Sequence, residues 1–274
     1  MISINSNSIS SSIARNLNQN AADLQKVTQQ ISSGKRIMSA ADDAAGTGIL
    51  SSLKNQQASS RAVDKNLGAG TSLLNVADKA LGTQQKILSS MRDLATQASS
   101  ELLSTEQRSA IQSSFTELQT QLDSTVSNAK MFGKNLLNAS ATDVKIQSGL
   151  NSGDTYTLKA SKSDAATLGV NAAAIDLTDV TKATAAMTAI DTATGTVGAN
   201  QSTIGTMMNG IKQIGENNKT FQSNVTDSIS RIEDADIPEL SNQLAQLQAK
   251  QQLISSTLGI SNQLPSYLLN LIRG

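Results

Sequence analysis

Apolar side chains in this chain recur at alternating three- and four-residue steps over stretches far longer than an ordinary helix. That rhythm restricts the fold to long α-helices that each bury one narrow stripe. The first run, Ile13, Leu17, Asn20, Leu24, Val27 and Ile31, has Asn20 as its one polar member and stops before Gly34, a residue suited to the left-handed turn beyond a helix end. A second run keeps phase through Ile49, Leu53, Gln56, Ser60, Val63, Leu67, Gly70, Leu74, Ala77, Leu81, Gln84, Leu88, Met91, Ala95 and Ala98. A helix of about 55 residues rising 1.5 Å per residue is roughly 80 Å long. A third run carries Ile111, Phe115, Leu118, Leu122 and Val126, and Ser104 with Gln107 has the spacing of a capping box at its start. The fourth, as long as the second, is Ala186, Ile190, Ala193, Val197, Asn200, Ile204, Met207, Ile211, Ile214, Asn218, Phe221, Val225, Ser228 and Ile232. Beyond it Pro238 stands where a first helical turn tolerates proline, and Ile237, Leu240, Leu244, Leu247, Gln251, Ile254 and Leu258 resume the stripe. Pro265 is expected to interrupt or kink the last turns.

Short helix, break, long helix at the front are mirrored by long helix, break, short helix at the back. The fold class that follows is mainly α: a long antiparallel helical hairpin rod, coiled-coil-like, with a third helix and one small β-hairpin. Residues 1–38 and 237–274 form a terminal helical pair, 39–46 and 233–236 are linking breaks lying side by side, and 47–232 form the helical body. Within 143–160, two alternating segments, 143–147 and 156–160, flank the turn signal Asn151-Ser152-Gly153-Asp154, so the β-hairpin belongs there. Residues 161–178, rich in Ser, Ala, Thr and Asp, read as surface loop.

Composition sharpens what such a chain can do. Only 38% of its 274 residues are apolar and 2% aromatic, with no Trp, so Leu, Ile, Val, Met and Ala must pack thin helix-on-helix contacts. It has neither His nor Cys, which removes the commonest general base, thiol nucleophiles, the usual zinc ligands and any disulfide. The expectation is a protein that is not an enzyme, has no cofactor or metal, and can be fully unravelled. The 22 basic and 22 acidic residues cancel, without a Lys/Arg run to match a phosphate backbone, so nucleic acid is not an expected partner. No apolar stretch reaches the roughly 18 residues that span a bilayer, and the first residues lack the basic and apolar regions of a cleavable signal. Membrane insertion is not expected, and export would need another route. Asp42, Asp43, Glu233, Asp234 and Asp236 could converge at the paired breaks. Helix capping and pairing with Lys35, Arg36 and Arg231 are the commoner use of such groups than a divalent cation site.

The terminal pair poses an energetic problem. Ordering a residue costs roughly 1–2 kcal/mol, whereas each CH₂ removed from water contributes about 0.8 kcal/mol. Two helices with one narrow stripe apiece have little surplus. Ile13, Leu17, Leu24, Val27 and Ile31 on one side and Leu244, Leu247, Ile254 and Leu258 on the other, with Leu268 and Leu269 of the apolar tail, are therefore the expected polymerisation interface. The pair is expected to fold on assembly with copies of itself.

Particular residues carry a second argument. Ser32-Ser33-Gly34-Lys35-Arg36-Ile37-Met38-Ser39-Ala40-Ala41-Asp42-Asp43-Ala44-Ala45-Gly46 closely resembles the N-terminal signature of bacterial flagellins. Ser230-Arg231-Ile232-Glu233-Asp234-Ala235-Asp236 resembles the C-terminal one, followed by Ala249-Lys250-Gln251-Gln252 and Asn262-Gln263-Leu264-Pro265. On that resemblance Gly34, Arg36, Asp42, Asp43, Arg231, Glu233 and Asp234 form the linker motif, and the short length matches forms lacking the variable outer domains. The resemblance implies a flagellar filament subunit, secreted to the extracellular face through the flagellar type III channel. Its implied partners are itself, the flagellar export apparatus and an export chaperone, and the filament cap and junction proteins. A hook-associated junction protein of the same end architecture is the alternative. The chain departs from the family at Ser202-Thr203-Ile204, where many relatives carry an Arg-containing triplet. Leu88 to Gln97 resembles the segment read by the vertebrate Toll-like flagellin receptor: Arg92 and Leu94 match, whereas Ser90 and Ser114 replace charged residues of strongly recognised relatives. Weak recognition is the expectation there.

Overall fold

A computed structural model describes the backbone of residues 8–273, with the side chains of 10–261 and 263. In chain order the elements are α1 (Ser8–Ser33), α2 (Ala44–Ala98), α3 (Thr105–Asn128), β1 (Lys130–Met131), β2 (Lys134–Asn135), β3 (Val144–Gln147), β4 (Thr155–Leu158), α4 (Val180–Glu233) and α5 (Ile237–Arg273). The helices are those the stripes demand, at 55 residues for α2 and 54 for α4. Ser104 caps α3 as its spacing requires: its hydroxyl accepts from the Gln107 amide, and the Gln107 side chain accepts from the Ser104 amide. Helix α5 continues through Pro265, which corrects the expected interruption. A missing amide removes one hydrogen bond without obliging the chain to turn.

Two compact units emerge, one made of the chain up to Asn55 with Asn224 onward, the other of Gln56–Ser223. In the second unit α2 and α4 pair antiparallel, and Ser60 and Asn218, polar positions in their stripes, face one another. Ser60 Oγ and Asn218 Oδ1 are 2.6 Å apart, and the Asn218 amide donates to Asp64. Further along, Gln85 donates to Gln201, which donates to Asp78. Around these rungs Leu74, Leu81, Leu88 and Met91 of α2, Phe115 and Leu122 of α3, and Ile190 and Ile204 of α4 are fully buried.

The β3·β4 hairpin forms in register Val144↔Leu158 to Gln147↔Thr155. It docks on two notches. A Cβ at Gly70 of α2 would meet Ile146 Cδ1 at 2.8 Å, and one at Gly210 of α4 would collide with the Tyr156 hydroxyl. Glycine is needed at both because a side chain of the hairpin lies against the helix backbone. A second, two-residue pairing was not expected: β1 and β2 join Lys130 to Asn135 and Met131 to Lys134. It closes through Phe132 (φ 51°) and Gly133 (φ 72°), both left-handed.

Residues 161–178 correct another expectation. They are not a surface loop but a strap whose Ser163, Ala165, Leu168, Val170, Ile175 and Leu177 are buried. Its backbone polar groups are satisfied by the helices' side chains: Gln84 donates to Ser163 O and Gln119 to Val170 O, each at 2.7 Å, and Gln112 accepts from the Leu177 amide at 2.7 Å. Its apolar residues follow neither helical nor strand spacing, which is why periodicity passes them by. The α2–α3 corner is likewise built. Arg108 is buried and donates to the carbonyls of Ala98, Leu103 and Ser100 at 3.4, 3.2 and 2.8 Å.

Candidate functional site

The first unit contains both ends of the chain, and its residues are those singled out for assembly. Along α1, Val27 and Asn20 are buried, while Ile13, Leu17, Leu24 and Ile31 are half-buried. Along α5, Leu244, Leu247, Ile254 and Leu258 are half-buried too, and Leu253 and Ile260 stand 68% and 63% exposed. The side chains of Leu268 and Leu269 lie outside the described residues. Asn20, the polar member of the stripe, donates to the Leu247 carbonyl at 3.0 Å, and its own buried Oδ1 has no hydrogen-bond partner. An amide at such a position fixes which turns of two helices face each other, at a cost in stability. Near the far end Ser10 and Ser261 hydroxyls meet at 2.9 Å.

Between these helices and α2 and α4 lies the junction. Gly34, at φ 69°, turns the chain out of α1, and a Cβ there would meet nothing within 4 Å, so its requirement is conformational. The chain then pairs with the end of α4 as a minimal antiparallel ladder: the Arg36 amide donates to Glu233 O at 2.7 Å, the Ala235 amide to Gly34 O at 3.0 Å, and Lys35 bridges Asp234. The Arg36 guanidinium adds a bond to Ile232 O at 2.8 Å, satisfying a carbonyl that the ending helix leaves free.

Charges lock this ladder. Glu233 is buried and receives Lys35 at 2.7 Å and Lys54 at 3.0 Å. The Lys35 hydrogen bond holds the Glu233 carboxyl below its ordinary pKa against the pull of burial, and Lys35 is raised in turn. Asp42 takes Lys26 of α1 at 2.8 Å and three donors from Met38 and Ser39, which together hold it at a pKa of about 2. Asp43 caps α2 through the Gly46 amide at 2.8 Å, an approach so close that a Cβ on Gly46 would strike the Asp43 carboxylate, and Asp236 caps α5 through the Glu239 amide. Asp42, Asp43, Glu233 and Asp236 are thus shared out among caps and ammonium partners. Among the described residues no three acidic side chains converge as a cation site. Arg231 is exposed and outside this ladder.

In the second unit Arg92 grips Asp191 at 2.6 Å, with Leu94 half-buried beside the core and Ser90 and Ser114 exposed. The Arg92 hydrogen bond lowers the pKa of Asp191 and raises that of the arginine. Just before Ser202-Thr203-Ile204, Asn200 ties α4 to the carbonyls of Ser161 and Lys162. Sequence reasoning missed Lys26, Lys54 and the glutamines that hold the strap, because lone polar residues on a helix look like solvated surface.

Half-buried stripes at paired chain ends, joined to long helices by a hydrogen-bonded and ion-paired junction, define a structural protein of the long-helix class. Comparison with known proteins narrows the class. The bacterial flagellin N-terminal helical region matches residues 4–142 and the C-terminal helical region residues 187–272. A flagellin of Halalkalibacterium halodurans is 30% identical over 98% of this chain and 99% of its own length. The crystal structure of Bacillus cereus flagellin is similar at a TM-score of 0.51 and 29% identity, over 56% of this chain and 88% of that one. A chain described as a flagellar hook-associated protein from Vibrio parahaemolyticus, 16% identical with a TM-score of 0.56, shares the fold over 70% of this chain. The chain belongs to the bacterial flagellin family, whose members are structural subunits that polymerise into the flagellar filament.

Proposed function

We propose that this chain builds its filament through the α1·α5 unit, which orders fully only against neighbouring copies, and that it reaches the cell exterior unfolded, through the flagellar export channel, to serve motility. The observation that carries this reading is the incomplete burial of the very stripe that should hold the two helices together, with Leu253 and Ile260 left in water. Isolated helices gain little from their own hydrogen bonds, so a pair with a half-buried seam draws its remaining stability from a polymer. A chain without cysteine carries no crosslink to resist unravelling before export. Export apparatus, chaperone, cap and junction proteins are the partners this route requires, and no catalysis is assigned. Arg92 and Leu94 serve helix packing and ion pairing, with a weak receptor contact as their second use. Limited proteolysis tests the assembly reading: residues up to about 40 and beyond about 237 should be cut in the monomer and protected in filaments, while 60–95 resist in both. Termini as resistant in the monomer as the helical body would defeat it. The hook-associated alternative rests on shared fold alone, and long tubes from the purified protein in polymerising salt, seen by electron microscopy, count against it.

A further inference from the structure

Two apolar side chains of the second unit are displayed to solvent on turns at opposite ends of α3. At one end Phe132 is 69% exposed, one of three phenylalanines in the whole chain. It occupies the first left-handed position of the β1–β2 turn, where Asn-Gly is the unstrained choice and a bulky residue is an outlier. Lys130 and Lys134 flank it, both exposed. At the other end Leu102 is 95% exposed, between exposed Glu101 and Glu106. Its exposure is imposed by a corner that buried Arg108 ties at three carbonyls. The 24 residues of α3 separate the two displays by about 36 Å.

We propose that the Phe132 turn of one copy seats against the Leu102 corner of the next copy along the filament, with Lys130 and Lys134 facing Glu101 and Glu106. This rests on the flagellin reading, which makes other copies the surroundings of every subunit. The two halves are chemically unlike and complementary: an aromatic tip rimmed by ammonium groups, and an aliphatic corner rimmed by carboxylates. They sit at opposite ends of one helix, so neither can satisfy the other within a chain. A contact of that kind is heterologous and repeats as an open series instead of closing on itself. It also accounts for a strained aromatic in a turn that asparagine would fill without strain.

Phe132→Asn separates the two roles because it relieves the turn and removes the anchor. The monomer's denaturation midpoint should rise, while the critical concentration for filaments rises on the order of tenfold, the scale of losing an interface aromatic. A fall in the midpoint, or an unchanged critical concentration, overturns the proposal. The chain has no cysteine of its own, so Leu102→Cys and Phe132→Cys can be made as separate variants and copolymerised. A short thiol crosslinker should then give dimers containing one of each variant, and none from filaments of either variant alone. Mixed filaments visible by electron microscopy that yield no such dimers also overturn it. Failure of the unmodified chain to form filaments at all defeats instead the assembly function on which the proposal rests.

Discussion

Gly34 shows how one backbone angle can decide whether a junction forms. At φ 69°, with open space where a Cβ would point, the position penalises side chains only through the backbone. A β-branched residue there costs about 1–3 kcal/mol, and asparagine much less. Gly34→Val should therefore weaken assembly while Gly34→Asn largely preserves it, read as filament yield and length, and normal filaments from the valine variant would refute the backbone role. Asp42 makes a prediction about acid. Its folded pKa of about 2 lies below the ordinary 3.8, chiefly through the Lys26 hydrogen bond and then those of Ser39 and Met38. A depressed carboxyl contributes stability that is present above the unfolded value and lost as pH falls through the folded one. Asp42→Asn should thus be less stable than the parent at pH 6 and match it near pH 2, with the difference vanishing between about pH 4 and 2. Helicity against denaturant at each pH measures it. Gly34 and the carboxylates were legible in the sequence because turns and caps are short-range. Phe132 was not, since nothing in a lone Met-Phe-Gly triplet announces a left-handed aromatic.

At the scale of elements, the stripes read correctly in most of their length because α2 and α4 bury one face along an unbroken phase. They misread the start of α2. Ile49, a stripe position, is 53% exposed, and Leu50 is buried in its place. The helix there packs against the junction, beside Ile37 and Lys54, so the buried face no longer follows the seam that α4 imposes further along. The strap 161–178 escaped for a related reason: its burial depends on glutamines 51 to 79 residues earlier in the chain, not on any local period. Arg108 offers the element-scale test. It is a buried side chain satisfying three carbonyls that terminate α2 and shape the turn into α3. Arg108→Met keeps the apolar stem but leaves those acceptors unpaired, at about 1–3 kcal/mol. The denaturation midpoint of residues 56–223 should fall accordingly, with hydrogen exchange accelerating first at residues 98–104. Unchanged exchange there would show that water replaces the guanidinium without loss.

For the whole molecule, both ends of the sequence belong to one unit, and a truncation tests how far that unit depends on its distant half. A chain lacking 237–274 should keep the Gln56–Ser223 unit folded by near-unchanged exchange protection and form no filaments, because α1 has lost the helix it pairs with. Filaments from that fragment would show that α1 suffices. Helix ends were readable from sequence, because heptad phase, glycine and proline mark where helices stop, but the first unit reaches to Asn55 and from Asn224, past the expected bounds of 38 and 237. The partners across the junction were not readable, since Lys26, Lys54 and the carbonyls they approach become neighbours only after the chain has doubled back. That doubling back has a consequence in time. The Arg36 guanidinium reaches a carbonyl 196 residues further on, and the Asn20 amide one 227 residues further on. Contacts so distant in sequence cannot begin to form until nearly all of the chain is free to meet itself. A polypeptide emerging one residue at a time, from a ribosome or a narrow pore, N-terminus first, remains incompetent to polymerise until its last helix is released. The order of emergence therefore delays the pairing of α1 with α5 until α5 itself is free.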